Sequence, residues 1–420
     1  MNPKHLATQA RIAVETVEVI DDQVKQGQPA DKLLAEFYRA NRQFGSRDRR
    51  FFSNLVFAWF RWRGWIMHGA PGDWEKRTVA AGLLDADEFH PTLELIANEL
   101  ETPLNGPSPS GSASLTEKAL LVQKWLGLDT TPTVSDLFPG WIKGALVDDG
   151  QLAFLQQRPE AWIRVQQSSI AKVKAICEAE DIDYHGHDCI PTALAIATKR
   201  GLTELSNKAG HLFEPQNIAS QAVGWVCDPK PGQQWWDACA GSGGKSLQLA
   251  DMMQDDCTII ATDSRSSIMN ELSRRIKKKK KLSINMRMLN VIAEDPPGFE
   301  FDGILVDAPC SGIGMWARHA DARWRMNAAK IDKLAGIQEA LLNRVSAKVK
   351  PGGHLIYAVC TLTKAETSDR VEQFLAQHNE FQLEPCSHPL TEDATNGVVW
   401  INPETAGGDA MFVAKMKKNG

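Results

Sequence analysis

From Phe213 onward, short β-favouring apolar runs alternate with helical patterns, and this alternation limits the fold more than any other feature of the chain. Strands are expected near 234–239, 257–262, 284–289, 302–307 and 353–359, with Phe381–Glu384 and Met411–Met416 completing one edge. Strands separated by helices build a parallel, doubly wound sheet, whose ligand crevice opens at the carboxyl ends of the strands. Two cysteines lie at such ends: Cys310 after Ile304-Leu-Val-Asp-Ala-Pro, and Cys360 after His354-Leu-Ile-Tyr-Ala-Val. Two thiols delivered to one crevice can act on a single substrate atom from two sides. That suggests covalent catalysis.

The 420 residues leave room for two or three domains. Residues 4–100 read as helices: Ala13, Val14, Val17 and Ile20 form one stripe, and Leu33, Leu34, Phe37 and Tyr38 begin another. A third runs from Asp48 to Met67, carrying Phe51, Phe52, Leu55, Val56, Trp59 and Phe60. Trp59, Trp62 and Trp65 are expected to pack a core rather than to stack on bases. Residues 102–115 are a loop by composition, and helical patterns resume at 116–126 and around Trp141–Gln157. Residues 160–212 suggest a small α/β unit, with a strand at Ala161–Val165, a helix at Ser169–Glu180 and otherwise short irregular strands. There is no internal repeat.

Hydrophobic residues make up 43% and charged residues 24%, as in ordinary soluble globular proteins. Lys4, Arg11, Glu15, Glu18, Asp21 and Asp22 interrupt the first 30 residues, unlike a signal peptide. No uninterrupted apolar run approaches the length of about 18 residues needed to span a bilayer. A cytoplasmic protein without membrane association is therefore expected. The eight cysteines include no C-x-x-C pair, which points to reduced thiols and to no metal site. His185-x-His187-x-Cys189 reads as loop residues.

A net charge of -5 argues against a protein that coats nucleic acid indiscriminately. Local runs differ. Between Arg39 and Arg63 there are seven arginines against Asp48 alone, and seven of the eight residues from Arg274 to Lys281 are basic. The stretch from Arg318 to Lys350 is basic again, while acidic residues gather in 15–36 and 85–101. Separated basic faces fit selective binding of a polyanion; a solvated face is the alternative for any one run.

Three motifs carry chemistry. In Trp235-Trp-Asp237-Ala-Cys-Ala-Gly241-Ser-Gly243-Gly244-Lys245-Ser246 a strand enters a glycine-rich turn that opens a helix. Such a turn lets backbone approach a ligand, and Asp263, ending the next strand, suits ribose hydroxyls. NAD enzymes and methyltransferases share this geometry; the P-loop spacing is absent. Asp307-Ala-Pro-Cys310-Ser-Gly312 follows the fourth strand, where methyltransferases of this architecture hold the reacting base. A thiol there suits carbon methylation, in which a nucleophile first adds to a pyrimidine ring. Val359-Cys360-Thr361 follows the fifth strand.

Together these motifs resemble the RsmB and NOL/NOP/Sun family of RNA cytosine carbon-5 methyltransferases. Gln216-Asn217-Ile-Ala-Ser220-Gln221, Glu366 and Gly408-Asp409-Ala-Met-Phe412 extend the similarity across about 160–418. Phe44-Gly-Ser-Arg-Asp48 through Arg61-Trp-Arg63 looks like the NusB-like helical RNA-binding domain of bacterial members. The resemblance implies a class I methyltransferase, Rossmann-like α/β fold at 213–420, preceded by a small RRM-like α/β unit at 146–212 and an all-α NusB-like domain at 1–145. It implies S-adenosylmethionine as methyl donor, held by Asp237, Ala238, Cys239, Ala240, Gly241, Gly243, Gly244, Lys245, Asp263, Arg265, Asn290 and Asp307. Cys360 would attack carbon 6 of cytosine, Asp307 would hydrogen-bond nitrogen 3, Cys310 would remove the carbon 5 proton, and Lys245 would favour the thiolate. A reversed order, with Cys310 as nucleophile, stays open.

This chain departs from the family in having Ala240-Gly-Ser-Gly-Gly-Lys245 for the usual Ala-Pro-Gly-Gly-Lys, Asn290 for an acidic residue at the adenine, and Asn217 for Asp. The expected activity is methylation of small-subunit ribosomal RNA by a monomer. Transfer RNA is the alternative substrate, and a catalytically silent RNA-binding assembly factor the alternative class. Arg318 and His319 are expected at the pocket entry.

Overall fold

The computed structural model describes residues 3–68, 73–86, 88, 90–100, 113–277, 283–407 and 409–420. Most of the loop expected at 102–115, Lys278–Lys281 of the basic run, and Gly408 lie outside the described residues. Two compact units are present: Met1–Gly144 with Trp316–Asn327, and Ala145–Met315 with Ala328–Gly420.

Helical apolar spacing makes the first unit α-helical, with α1 (Pro3–Lys25), α2 (Ala30–Ala40), α3 (Ser46–Ile66), α4 (Trp74–Asp85), α5 (Pro91–Glu99) and α6 (Leu115–Leu126). Trp59, Trp62 and Trp65 of α3 are buried in its core, and Trp59 donates its indole N–H to Asp21 at 2.9 Å. Two arginines of the expected basic face turn inward as well. Arg63 pairs with buried Asp21 at 2.5 Å, and Arg61 with Asp85 at 3.2 Å. Arg39, Arg42, Arg47, Arg49 and Arg50 stay at least partly exposed. The segment Trp316–Asn327, expected within the third domain, packs here instead: Asp321 accepts from the Ala30 N–H at 3.1 Å, and Trp316 stacks on Phe138. Arg318 and His319 thus belong to the helical unit.

Helical turns at Trp141–Gln157 are reduced to 3-10 pieces, Gly140–Ile142 and Asp149–Gln156. Gly144, in the left-handed region, separates them, and Asp148 caps the second piece.

The second unit begins with β1 (Ala161–Val165), α7 (Ile170–Ala179), β2 (Tyr184–Gly186), β3 (Ala193–Ile196), α8 (Lys199–Ala209) and β4 (Phe213–Pro215). These strands form one antiparallel sheet in the order β2-β3-β1-β4. Two features differ from expectation. α8 forms where short strands were expected, because Leu202, Leu205 and Ala209 share a helical face and Thr198 caps the Gly201 N–H at 3.0 Å. Phe213–Pro215 pairs with β1, so it completes the small sheet rather than opening the large one.

The large sheet follows from α9 (Ile218–Cys227), β5 (Gln234–Asp237), α10 (Gly244–Met252), β6 (Thr258–Asp263), α11 (Ser266–Lys277), β7 (Ile284–Met288) and β8 (Phe301–Asp307). It continues through α12 (Ala328–Ser346), β9 (Val349–Val359), α13 (Ser368–Gln377) and β10 (Phe381–Leu383). β11 (Cys386–Ser387) and β12 (Ala394–Thr395) make a separate ribbon; β13 (Val398–Ile401) and β14 (Met411–Lys418) rejoin the sheet. Its order is β10-β14-β9-β8-β5-β6-β7, with β13 also on β14. β5 to β9 are parallel and β14 is antiparallel to β9, a doubly wound, Rossmann-like α/β arrangement.

Both faces of the central strands β8 and β9 are covered, which is why Ile304–Val306 and Leu355–Val359 read as continuous apolar runs. Leu355, Tyr357 and Val359 join a core with Leu342 of α12 and Phe374 of α13, whereas Ile356 and Ala358 join Val223 of α9 and Leu247 of α10. Strand order reverses between β5 and β8, so a crevice opens at their carboxyl ends. Among the described residues no helix is long and apolar enough to cross a membrane.

Candidate active site

β5 ends at Asp237, and the chain turns through Ala238–Gly243 into α10. The turn needs glycine at Gly243, which has φ 83° and lies so close to α11 that a Cβ would meet Leu272 Cδ1 at 2.1 Å. The helix therefore starts with its first N–H groups unpaired. Asp237 accepts from Ser246 Oγ at 2.6 Å through one oxygen, while the other is buried without a protein partner. Burial, followed by the nearby Asp307, pushes its carboxyl up to about 7 against the pull of Ser246 and Lys245.

Asp263 ends β6. Its oxygens accept from Arg265 N–H and Nε (2.9 Å each), from Arg265 Nη2 (2.8 Å) and from the Gly241 N–H (3.0 Å). Burial opposes its charge, but these donors outweigh burial and hold the carboxyl below its usual value. Asn290, exposed after β7, uses its side-chain oxygen to cap the N–H of Ile292 at 3.2 Å.

β8 and β9 deliver the reactive groups. Lys245 Nζ, nearly buried on α10, lies 2.7 Å from Asp307 Oδ2 at the end of β8. Burial disfavours its charge, yet Asp307 and then Cys360 and Asp237 hold the ammonium above its usual pKa. The sulfurs of Cys310 and Cys360, 50 residues apart in sequence, approach to 3.2 Å as free thiols. Cys360, then burial and Glu366, raise the Cys310 thiol well above its usual range.

Asp237, Lys245, Asp263, Asn290, Asp307, Cys310 and Cys360 line one cleft of about 660 Å³. Of the residues expected to hold a donor, only Gly243 is not on its wall; it sits behind, against Leu272. Ile337 and Leu341 of α12, absent from the expectation, also line the cleft. Their apolar helical spacing marked them as core and carried no sign of a ligand. His185 and Cys189 lie apart from the cleft: His185 pairs with Glu160 at 3.3 Å, and the Cys189 thiol donates to Leu390 O at 3.2 Å.

The site fits an adenosyl sulfonium donor on three grounds: an orphaned buried oxygen on Asp237, a glycine cradle under unpaired N–H groups, and a carboxylate at the end of the second parallel strand. Ribose hydroxyls could reach Asp263 only by displacing Arg265, whose side chain is 62% exposed and can swing away.

Residues 225–417 match the family described as 16S rRNA methyltransferase RsmB/F. That match covers a little under half of this chain and takes in the glycine turn and both cysteine-bearing segments. Similar curated proteins include the probable ribosomal RNA small subunit methyltransferase B of Synechocystis sp., 29% identical over 297 residues, covering 67% of each chain. Ribosomal RNA small subunit methyltransferase B of Enterobacter sp. is 28% identical over 268 residues, 62% of this chain and 60% of that one. The chain thus spans about three-fifths to two-thirds of these relatives' length. The fold resembles the crystal structure of PH0851, with TM-score 0.69 and 22% identity over 96% of this chain and 99% of that one. It also resembles NSun6 from Pyrococcus horikoshii, with TM-score 0.57 and 17% identity over 67% and 99%.

Proposed function

We propose that this RsmB/F-type chain is an RNA cytosine carbon-5 methyltransferase acting on small-subunit ribosomal RNA, with S-adenosylmethionine as donor. The observation that carries this reading is the 3.2 Å approach of two free thiols in the cleft that holds the glycine turn. Methylation of an exocyclic amine needs no sulfur nucleophile; methylation of a pyrimidine carbon does, because carbon 5 becomes electron-rich only after addition at carbon 6. The names of the curated relatives support ribosomal RNA as substrate.

The donor supplies an electrophilic methyl group. Cys360 is the nucleophile: its thiolate bonds to carbon 6 while nitrogen 3 takes a proton relayed from Lys245 through Asp307. Lys245 responds to the charge of Cys360, whereas Cys310 holds its own proton tightly beside Cys360 and Glu366. Bonding Cys360 to carbon removes the largest influence raising Cys310, which eases the loss of the Cys310 proton to solvent once the adduct has formed. As a thiolate it then takes the carbon 5 proton, the carbon–sulfur bond breaks, Cys360 leaves as thiolate, and nitrogen 3 returns its proton through Asp307 to Lys245.

Denaturing gels of enzyme mixed with RNA test the order. Cys310→Ala is expected to accumulate a covalent protein–RNA adduct and Cys360→Ala to form none; the reverse pattern overturns the assignment. Bisulfite sequencing of RNA from cells with and without the protein tests the substrate. A protected cytosine lost from small-subunit ribosomal RNA is expected, and one lost only from transfer RNA would redirect the reading.

A further inference from the structure

The residue after each cysteine is bonded to the same buried carboxylate. Glu366 has no exposed surface. Its Oε1 accepts from the Ser311 N–H at 2.8 Å and from Gln338 Nε2 at 3.1 Å. Its Oε2 accepts from Ser311 Oγ at 2.5 Å, Thr363 Oγ1 at 2.8 Å and Thr361 Oγ1 at 3.2 Å. The Ser311 and Thr361 hydroxyls are also 2.7 Å apart. Gln338 of α12 reaches Pro309 O at 3.0 Å, and Tyr357 of β9 donates to the backbone carbonyl of Glu366 at 2.7 Å.

A buried carboxylate is costly unless donors fill its oxygens. Here five donors do so, and they come from both cysteine-bearing loops and from the helix between them. Neither loop can shift without breaking bonds to a charge that has no water to turn to. We propose that Glu366 is a positioning residue for methyl transfer, setting the two sulfurs against each other and giving them unequal roles. This rests on the covalent reading above.

Cys360, Glu366 and Tyr357 act on Cys310 or feel its charge, and Asp307 and Lys245 line the same cleft. Cys360 and burial raise Cys310 most, and Glu366 adds to them. Burial, then Cys310 and Glu366, keep the Tyr357 phenol neutral. Without the Glu366 charge, Cys310 would ionise more readily and the inequality between the sulfurs would shrink.

The test is iodoacetamide labelling of Cys310 against pH, read by peptide mass spectrometry in a Cys360→Ser background, with and without Glu366→Gln. Loss of the charge is expected to move the Cys310 profile down by about one unit, a rate gain of about tenfold at fixed pH. Glu366→Asp is expected to restore the profile. With both cysteines present, Glu366→Gln is expected to lower kcat by about 100-fold while leaving the KM for RNA unchanged. An unmoved Cys310 profile in a variant that still binds S-adenosylhomocysteine overturns the proposal.

If Glu366→Gln does not fold, Ser311→Ala with Thr361→Val cuts the hydroxyl ties and keeps the charge. A lower kcat with an unchanged labelling profile is then expected, and an unchanged kcat overturns the proposal. No methyl transfer by the wild type, together with the labelling shift on Glu366→Gln in the Cys360→Ser background, defeats the covalent reading instead.

Discussion

Asp237 shows how a residue can be held for a ligand at the expense of the free protein. Its unfolded-state pKa lies near 3.8, and burial raises the folded value to about 7. The folded state therefore keeps a proton that the unfolded chain releases, and stability falls as pH rises from about 4 to about 7. Asp237→Asn keeps the shape without the charge. Thermal unfolding without donor is expected to show the variant gaining on the wild type by more at pH 8 than at pH 5. Calorimetry is expected to show weaker S-adenosylhomocysteine binding by the same variant. A variant that loses more ground at pH 8 than at pH 5 would show that the free protein already satisfies this carboxylate. Nothing in the Asp-Ala-Cys-Ala motif announces the shift, because it depends first on burial by the surrounding elements and then on Asp307, which arrives from β8.

At the scale of elements, local pattern was a good guide wherever a run was long and periodic. The five parallel strands stand within a few residues of expectation; β8 and β9 are buried and carry unbroken apolar runs, whereas β7, at the sheet edge, alternates polar residues and is largely exposed. Short elements escaped. β13 is four residues, Val398–Ile401, and exists because the free side of β14 accepts it; α8 has a polar composition that hid its narrow apolar face.

Packing of one helix on another also decides which glycine of the turn is indispensable. Gly243→Ala is expected to destabilise the fold by about 1–3 kcal/mol through overpacking against Leu272, on top of the left-handed backbone, and to weaken donor binding. Gly244→Ala, where an added Cβ meets nothing within 4 Å, is expected to be mild. Denaturant midpoints of the two variants check the contrast; equal losses would mean that the turn, and not the packing on α11, sets the requirement.

For the whole molecule, charge placement is the feature most altered by folding. The arginine-rich stretch read as one basic face, but Arg61 and Arg63 pair with Asp85 and Asp21, which leaves the exposed cluster nearer α2 and the start of α3. Replacing Arg42, Arg47 and Arg50 by Gln is expected to weaken RNA binding and to flatten its dependence on log salt by about 0.7–0.9 for each phosphate no longer neutralised. A filter-binding titration at several salt concentrations measures this, and an unchanged slope would make the cluster a solvated face. Arg274, Arg275 and Lys277, in the last turn of α11, are the described part of the second basic run.

The sequence by itself determined the alternation of strands and helices, the glycine turn and the presence of two cysteines at strand ends, since each depends on residues within a few positions of one another. Only the tertiary structure decided that the two sulfurs stand 3.2 Å apart, that one buried carboxylate ties both of their loops, and that Trp316–Asn327 packs with the helical unit. Such facts join residues 50 or more positions apart, and only strand order and the packing of helices over the sheet bring them together.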